Sequence, residues 1–319
     1  MRNLVFAAFL VMLFTAEAAY CQPYPSRPVR MLVGFPPGGG TDITARLLAP
    51  KLTELLGQPF VVENRPGAAT NLATDLVAKA PPDGYTLLFT TTALAINASL
   101  YKNLPFDAQR DFAPVSVFAE APNLLVANPN AGASVAELLS KARANPGALN
   151  YSSAGSGTTQ HLAGEVFKVR TGTQIVHIPY KGTAASLTAV VAGEVQLSFA
   201  NVPAILGHVK SGRLRALAVA GPHRSDLMPN VPTLKEAGVE GVEVPVWYAL
   251  LAPAATPREV VATLGKATAR AARSADTKQR LVEQGADPVG DSPEEFAKLL
   301  RAEVVKYAEI VRISGAKPE

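Results

Sequence analysis

The chain of 319 residues has 30 lysines and arginines against 26 aspartates and glutamates, a formal net charge of +4 with neutral histidines. This mild excess is spread along the chain without a basic block, which excludes a nucleic-acid-binding protein of the usual basic kind. A single cysteine excludes an internal disulfide, and four scattered histidines show no metal-ligand spacing. We therefore expect two domains with apolar cores, without a metal or a cofactor.

The N-terminus has the pattern of an exported protein. Arg2 precedes an apolar run from Leu4 to Phe14, and Ala16-Glu17-Ala18 offers a cleavage site. Residues 1–18 are predicted to be a cleavable signal peptide, because the apolar run is too short to span a membrane. Cys21 raises the alternative of a lipid anchor, which the bulky Tyr20 directly before it disfavours.

Three adjacent glycines, Gly38-Gly39-Gly40, follow a short apolar strand predicted at Val29 to Val33. Glycines let the backbone approach a ligand, and the helix predicted over Ile43 to Leu56 points its free N–H groups at this loop. The segment therefore predicts an anion site. A phosphate loop would need Lys and then Ser or Thr after the last glycine, but Thr41-Asp42 follows, and Asp42 would repel a polyphosphate. A small carboxylate fits better, and a plain tight turn remains the alternative.

Strand-like and helix-like segments alternate along the rest of the chain, which predicts an α/β fold of mostly parallel sheets flanked by helices. The apolar run from Val115 to Ala127 is interpreted as a crossover into a second lobe, and Val242 to Leu251 as the return. We expect lobe 1 to comprise residues 22–124 and 246–319, and lobe 2 residues 125–245. Ligands bind beyond the carboxyl ends of parallel strands, so the loop at Gly38 and the Gly/Ser loop from Ser153 to Thr158 should face one another across a cleft.

The chain also carries, in a fixed order, short motifs at Val33 to Asp42, Glu63 to Ala68, Pro82 to Leu88, Asn97 to Tyr101, Ser153 to His161, Pro179 to Gly182, Leu214 to Val219, Val231 to Thr233 and Leu251 to Pro253. In their order and spacing these motifs resemble the Bug-type substrate-binding proteins of tripartite tricarboxylate transporters. The resemblance runs from about Tyr24 to the C-terminus. It implies a two-lobed periplasmic-binding-protein fold of type II-like, "Venus flytrap" form. It also implies a monomer that captures a small organic carboxylate in the periplasm and delivers it to the subunits of a membrane permease.

The resemblance also implies a set of ligand-binding residues. The first lobe would grip a carboxylate through the glycine loop, and the second lobe would meet the other end of the ligand with its own loops. Carried onto this sequence, the set comprises Phe35, Pro37, Gly38, Gly39, Thr41 and Asp42 from the first loop, Thr91 from the polar end of a strand, Ser153, Gly155, Gly157 and Thr158 from the second loop, and Pro179 and Gly182 beside them.

The sequence departs from the family pattern at two places. Ala200 stands where the family usually has an aspartate, which disfavours an amino-acid ligand and favours a dicarboxylate or an aromatic acid. Ala69-Thr70-Asn71 stands where the family is richer in glycine, which implies a reshaped cleft wall.

Four further questions remain open from the sequence. A periplasmic hydrolase is disfavoured, because Gly155-Ser156-Gly157 lacks the spacing of a nucleophile elbow. We therefore expect that the protein is not an enzyme. Lys181 is either a solvated charge or a ligand contact, and Trp247 is either a core or hinge anchor or part of the cleft. A receptor that presents its ligand to a membrane sensor kinase is the alternative to transport.

Overall fold

The computed structural model describes residues 24–318, and the predicted signal peptide and Cys21 lie outside this part. The strands in chain order are β1 (Val29–Val33), β2 (Phe60–Asn64), β3 (Thr86–Thr91), β4 (Phe112–Ala121), β5 (Asn123–Ala127), β6 (Asn150–Ser153), β7 (Val176–Pro179), β8 (Leu197–Asn201), β9 (Arg215–Ala220), β10 (Val246–Pro253) and β11 (Asp287–Pro288). The helices are α1 (Gly40–Leu56), α2 (Asn71–Ala78), α3 (Ala93–Leu100), α4 (Val135–Ala144), α5 (Thr159–Thr171), α6 (Thr183–Ala192), α7 (Val202–Lys210), α8 (Arg258–Arg273), α9 (Ala275–Glu283) and α10 (Pro293–Ser314). Within residues 24–318, no helix has the length and apolar character that a membrane crossing requires.

The strands form two sheets, in the orders β11-β4-β10-β3-β1-β2 and β7-β6-β8-β5-β9. The predicted α/β class with two lobes is confirmed. Each sheet is mixed. In the first sheet β10 pairs antiparallel with β3 and β4, and the short edge strand β11 pairs antiparallel with β4. In the second sheet β5 pairs antiparallel with β8 and β9. The other four neighbouring pairs, β1–β2, β1–β3, β6–β7 and β6–β8, are parallel.

The chain passes from the first sheet to the second at Pro122, between β4 and β5, and returns between β9 and β10. This sheet membership supports the predicted limits of the lobes near residues 124 and 245, which we retain as a proposal. The helix α10 begins with a capping box, in which Ser292 and Glu295 each accept the other's backbone N–H. It packs against α3 and β4 of the first lobe and also against α5 of the second.

The loops that leave the carboxyl ends of β1, β2, β6 and β7 converge between the two sheets. Parallel strands bring such loops to the same edge of a sheet, so the two sheets present these edges to each other. The apolar core supports this arrangement, since one hydrophobic cluster includes Leu32 and Leu88 of the first sheet together with Tyr151 and Leu197 of the second. The fold thus places four loops around one interlobe cleft.

Candidate functional site

The interlobe cleft has a volume of about 750 Å³. Its walls carry main-chain atoms, apolar rings and few charged groups. The first lobe contributes Gly34, Phe35, Pro36, Pro66, Gly67, Ala68, Ala69, Thr70 and Tyr101, and the second contributes Ala154, Gly155, Ser156, Pro179, Tyr180, Lys181 and Gly182. Of the predicted site residues, Phe35, Gly155, Pro179 and Gly182 line the cleft. The others are not among the residues that line it: Pro37, Gly38, Gly39, Thr41, Asp42, Thr91, Ser153, Gly157 and Thr158.

Asp42 holds the glycine loop together from inside. Its buried carboxylate accepts hydrogen bonds from the Gly38 N–H at 3.0 Å, from Asn64 Nδ2 at 2.9 Å and from Arg46 Nε at 3.0 Å. Burial raises the pKa of Asp42, but the hydrogen bonds from Arg46, Gly38 and Asn64 outweigh burial and lower it below its usual value. Gly38 has a φ of 84°, a conformation that favours glycine. Asp42, one of the predicted ligand-binding residues, therefore stabilises the conformation of the glycine loop.

The N-terminus of α1 points into the region between the lobes. Gly39 is its N-cap and offers no side chain to the helix amides. Across residues 24–318, the N–H groups of Gly40, Thr41 and Asp42 have no protein acceptor. Such amides and the positive end of the helix dipole favour an anion.

The loop that follows β2 forms another part of the cleft wall. Ala68, Ala69 and Thr70 have φ values of 46°, 53° and 78°, a run of left-handed residues without a glycine. Such residues cost about 1–2 kcal/mol each, so the surrounding structure must hold them in place. Asn97 does this, since its Nδ2 donates to the Ala69 carbonyl at 2.9 Å and to Asn71 Oδ1 at 3.0 Å. The reshaped wall predicted at Ala69 to Asn71 is thus a strained loop at the cleft.

The loop after β6 is also braced internally. The Thr158 side chain caps α5 by accepting the His161 N–H at 3.2 Å, and its hydroxyl donates to the Gly155 carbonyl at 2.8 Å. Ser153 Oγ lies 2.7 Å from His177 Nε2 and accepts the Gly155 N–H at 3.1 Å. The side chains of Ser153 and Thr158 are therefore engaged within the lobe, and this loop meets the cleft through Ala154, Gly155 and Ser156.

A stack of rings supports this loop. The His177 ring lies between the rings of His161 and Tyr151, with centroid distances of 4.4 and 4.8 Å. His161 is buried within this stack. Burial lowers the pKa of His177 to about 4, with Glu165 acting in the opposite direction and Lys168 in the same one. His177 is therefore neutral at neutral pH.

The His177 stack predicts a pH dependence of stability. Between the unfolded pKa of 6.5 and the folded pKa of about 4, the unfolded chain binds the extra proton, so stability falls as pH falls through this window. We expect this group to remove about 2 kcal/mol of unfolding free energy between pH 7 and pH 5. Urea unfolding of the wild type and of His177→Gln at both pH values measures this, and equal losses in the two proteins would contradict it.

The remaining predicted residues have structural roles in this fold. Thr91 Oγ1 accepts the Ala93 N–H at 3.3 Å and lies within the first sheet. Trp247 is buried, and its indole N–H donates to Glu303 at 3.3 Å, which fits the interpretation as a core anchor. Ala200 is fully buried in the apolar cluster that contains Leu124 and Val202, and it is not among the cleft residues. Ala200 is therefore not in a position to distinguish ligands by their charge.

The electrostatics of the cleft still discriminate between ligands. Among the cleft-lining residues of the described chain there is no aspartate or glutamate, and Lys181 is the single charged residue. Asp42, the acid of the glycine loop, is already engaged by Arg46, Asn64 and Gly38. The cleft therefore offers donors to anions and no carboxylate to an ammonium group.

Comparison with known proteins identifies the chain. Residues 44–315 match the model of the tripartite tricarboxylate transporter family receptor. The chain belongs to this family. Its relatives include the protein BugT of Bordetella pertussis, 38% identical with 96% of each chain covered. The receptor is therefore a periplasmic-type solute-binding protein and not an enzyme.

Solved structures of relatives agree with this assignment. A protein of R. palustris solved with adipate is 38% identical, with a TM-score of 0.90 over 93% of this chain and 100% of that one. MatC from Rhodopseudomonas palustris, solved with bound malate, is 31% identical, with a TM-score of 0.86 over 90% of this chain and 100% of that one. The periplasmic binding protein BugD is 31% identical, with a TM-score of 0.89 over 93% and 100% of the two chains.

Sequence reasoning missed three polar residues of the receptor that lie at or beside the cleft: Asn97, Tyr101 and Asn201. Asn201 could have been found, because it is a polar residue at the carboxyl end of an apolar strand. Asn97 carried no such signal, since the left-handed loop that it supports has no glycine.

Proposed function

We propose that the receptor captures a small dicarboxylate between its lobes in the periplasm. It acts as a monomer and delivers this ligand to the membrane permease of a tripartite tricarboxylate-type transporter. The observation that carries the proposal is the chemistry of the cleft: main-chain donors, apolar rings, one lysine and no acid among its lining residues. Two relatives were solved with adipate and malate, and both of these ligands are dicarboxylates.

The donors of the first lobe are sufficient for binding without a buried arginine. Hydrogen bonds to a charged group contribute about 1.5–3 kcal/mol each, so four of them supply about 6–12 kcal/mol before ordering costs. Micromolar binding needs about 8 kcal/mol. The amides at the start of α1 and the cleft wall from Gly67 to Thr70 lie on the two loops that would supply such donors.

The apolar part of the cleft fits the carbon chain of the ligand. Phe35, Tyr101 and Tyr180 place three rings in the lining, and Pro36, Pro66 and Pro179 add further apolar surface. A dicarboxylate with a short methylene chain buries its apolar middle against such surface while its ends meet polar groups.

A titration panel tests the proposal. Calorimetry of the purified mature chain with adipate, malate, benzoate and glutamate is expected to give micromolar affinity for at least one of the two dicarboxylates. Glutamate should bind about 100-fold more weakly, because its ammonium group would be buried without an acceptor. If glutamate bound as tightly as the dicarboxylates, the cleft would not select against an ammonium group. If benzoate bound more tightly than adipate and malate, the ligand would be an aromatic acid and not a dicarboxylate. Uptake by a strain with and without the permease genes separates transport from presentation to a sensor.

We expect Lys181 to contact the second carboxylate of a dicarboxylate ligand. It is exposed at the cleft rim, so Lys181→Gln should weaken dicarboxylate binding about tenfold and change monocarboxylate binding little. The matched control is Lys210→Gln, at the exposed end of α7 and outside the cleft lining. If both variants bind adipate and malate equally well, Lys181 is a solvated charge.

A further inference from the structure

The three glycines of the first loop are not equivalent. Gly38 turns the chain and donates its N–H to Asp42. A Cβ on Gly39 would lie 3.7 Å from Thr183 Oγ1, which is ordinary contact. A Cβ on Gly40 would lie 2.5 Å from Asn201 Oδ1 and 2.9 Å from Tyr248 Oη, closer than side chains approach one another. Gly40 is therefore the glycine that cannot carry a side chain in this arrangement of the lobes.

The contact at Gly40 crosses the cleft. Asn201 ends β8 in the second sheet, whereas Gly40 begins α1 beside the first sheet. Asn201 is buried, and no residue within 24–318 forms a hydrogen bond to its Oδ1. The amide oxygen of one lobe thus packs directly on the Cα of the other lobe's ligand loop.

The second lobe shows the reciprocal arrangement. A Cβ on Gly157, in the loop after β6, would fall within 1.9 Å of Asn97 Oδ1. Asn97 belongs to α3 of the first lobe, and its Nδ2 is fixed by the Ala69 carbonyl and by Asn71 Oδ1. Its Oδ1 is therefore held towards Gly157. Each lobe's glycine loop receives an asparagine from the opposite lobe.

We propose that Gly40 and Gly157 are closure seats, into which Asn201 and Asn97 dock when the lobes close. The third glycine of the first loop is then a positioning residue that permits closure, while the loop's amides serve the anion. This inference rests on the proposed function, since closure around a solute is what the two lobes are proposed to perform. Gly40, which permits closure, is thereby distinguished from Gly38, which turns the chain.

Disulfide trapping measures closure directly. In a Cys21→Ser background, Gly39→Cys and Thr183→Cys would place two Cβ atoms 3.8 Å apart, within the range for a disulfide. We expect this pair to cross-link under mild oxidation without added ligand. Failure of the pair to form the disulfide would overturn the closed arrangement on which the seats depend.

Adding Gly40→Ala to the trap should slow cross-linking about tenfold, because the new methyl group meets Asn201. Alanine suits the first turn of a helix, so the variant should fold, which circular dichroism and thermal melting verify. An unchanged trapping rate would overturn the proposal. Gly40 is the cleaner test, since Gly157 has a φ of 83° and its substitution would add backbone strain.

Two second-site variants identify the side chain that obstructs closure in the Gly40→Ala variant. Asn201→Ala removes the Cγ and Oδ1 atoms and should restore fast trapping to Gly40→Ala. Tyr248→Phe removes the hydroxyl that contacts Gly40 from the same lobe, and it should leave trapping slow. Rescue by Tyr248→Phe alone, or rescue by neither, would contradict a seat across the lobes. The trap needs no ligand, so a failed dicarboxylate titration would overturn the proposed function and leave this result intact.

Discussion

Replacing Asp42 by alanine is expected to lower the free energy of unfolding by about 3 kcal/mol and to weaken ligand binding at least tenfold. The carboxylate ties together three parts of the first lobe: the Gly38 turn, Arg46 on α1 and Asn64 at the end of β2. Its loss leaves the Gly38 N–H and the Asn64 Nδ2 without this acceptor inside the protein. Urea unfolding at pH 7 and titration with adipate and malate measure the two effects.

Asp83→Ala is the matched control for Asp42→Ala. Asp83 forms an ion pair with Arg27 at 2.9 Å, in which 62% of the Arg27 side chain and 42% of the Asp83 side chain are exposed, and it accepts the Tyr85 N–H at 3.0 Å. Its loss should therefore change stability by about 1 kcal/mol or less. If Asp42→Ala and Asp83→Ala lower the free energy of unfolding by the same amount, Asp42 does not brace the loop.

Lowering the pH should reproduce part of the loss of stability that we expect for Asp42→Ala. The folded-state pKa of Asp42 lies below its usual value of 3.8, so its contribution is present above that value and is lost as pH falls through the folded pKa. The stability difference between the wild type and Asp42→Asn should therefore shrink below about pH 4. A difference that stays constant down to pH 2 would contradict this assignment.

The architecture could be predicted because its signals are local. A strand, a glycine loop and a helix start occupy adjacent residues, as they do at Val33 to Asp42, and the pattern repeats after β6. The antiparallel insertion of β10 could not be predicted in this way. Its position depends on pairing with β3 and β4, strands more than a hundred residues away, as between Leu250 and Phe89. Pattern reasoning therefore recovered the lobes and missed the mixed order inside each sheet.

The site could be located from the sequence, but its lining could not. The glycine loop does stand at the cleft, yet the chain buries Asp42 as a brace and presents Phe35 and Pro36 instead. Ala68, Ala69 and Thr70 adopt left-handed backbone that their side chains oppose, so local propensity argues against the observed wall. Asn201 reaches Gly40 only after the lobes meet. Contacts of that kind depend on tertiary structure and leave little trace in the local sequence.

Replacing Gly164 by alanine is expected to lower the free energy of unfolding by about 3 kcal/mol. Gly164 lies inside α5, and a Cβ there would fall within 2.2 Å of the Tyr151 ring. That ring cannot move away freely. It is buried, its hydroxyl donates to Glu165 at 2.7 Å, and it stacks on His177. The second lobe's ring stack therefore requires glycine at this helix position.

Gly207→Ala is the matched control, because Gly207 also lies inside a helix but has nothing within 4 Å of its missing Cβ. Alanine should stabilise that helix by about 1 kcal/mol, since helix propensity is then the only change. Urea unfolding at pH 7 compares the two substitutions directly. In a Tyr151→Leu background the cost of Gly164→Ala should shrink, because the two sites are in contact and their effects are not additive. If Gly164→Ala were as stabilising as Gly207→Ala, α5 would not pack on Tyr151 as described, and the support of the Ser153 loop by this stack would fail with it.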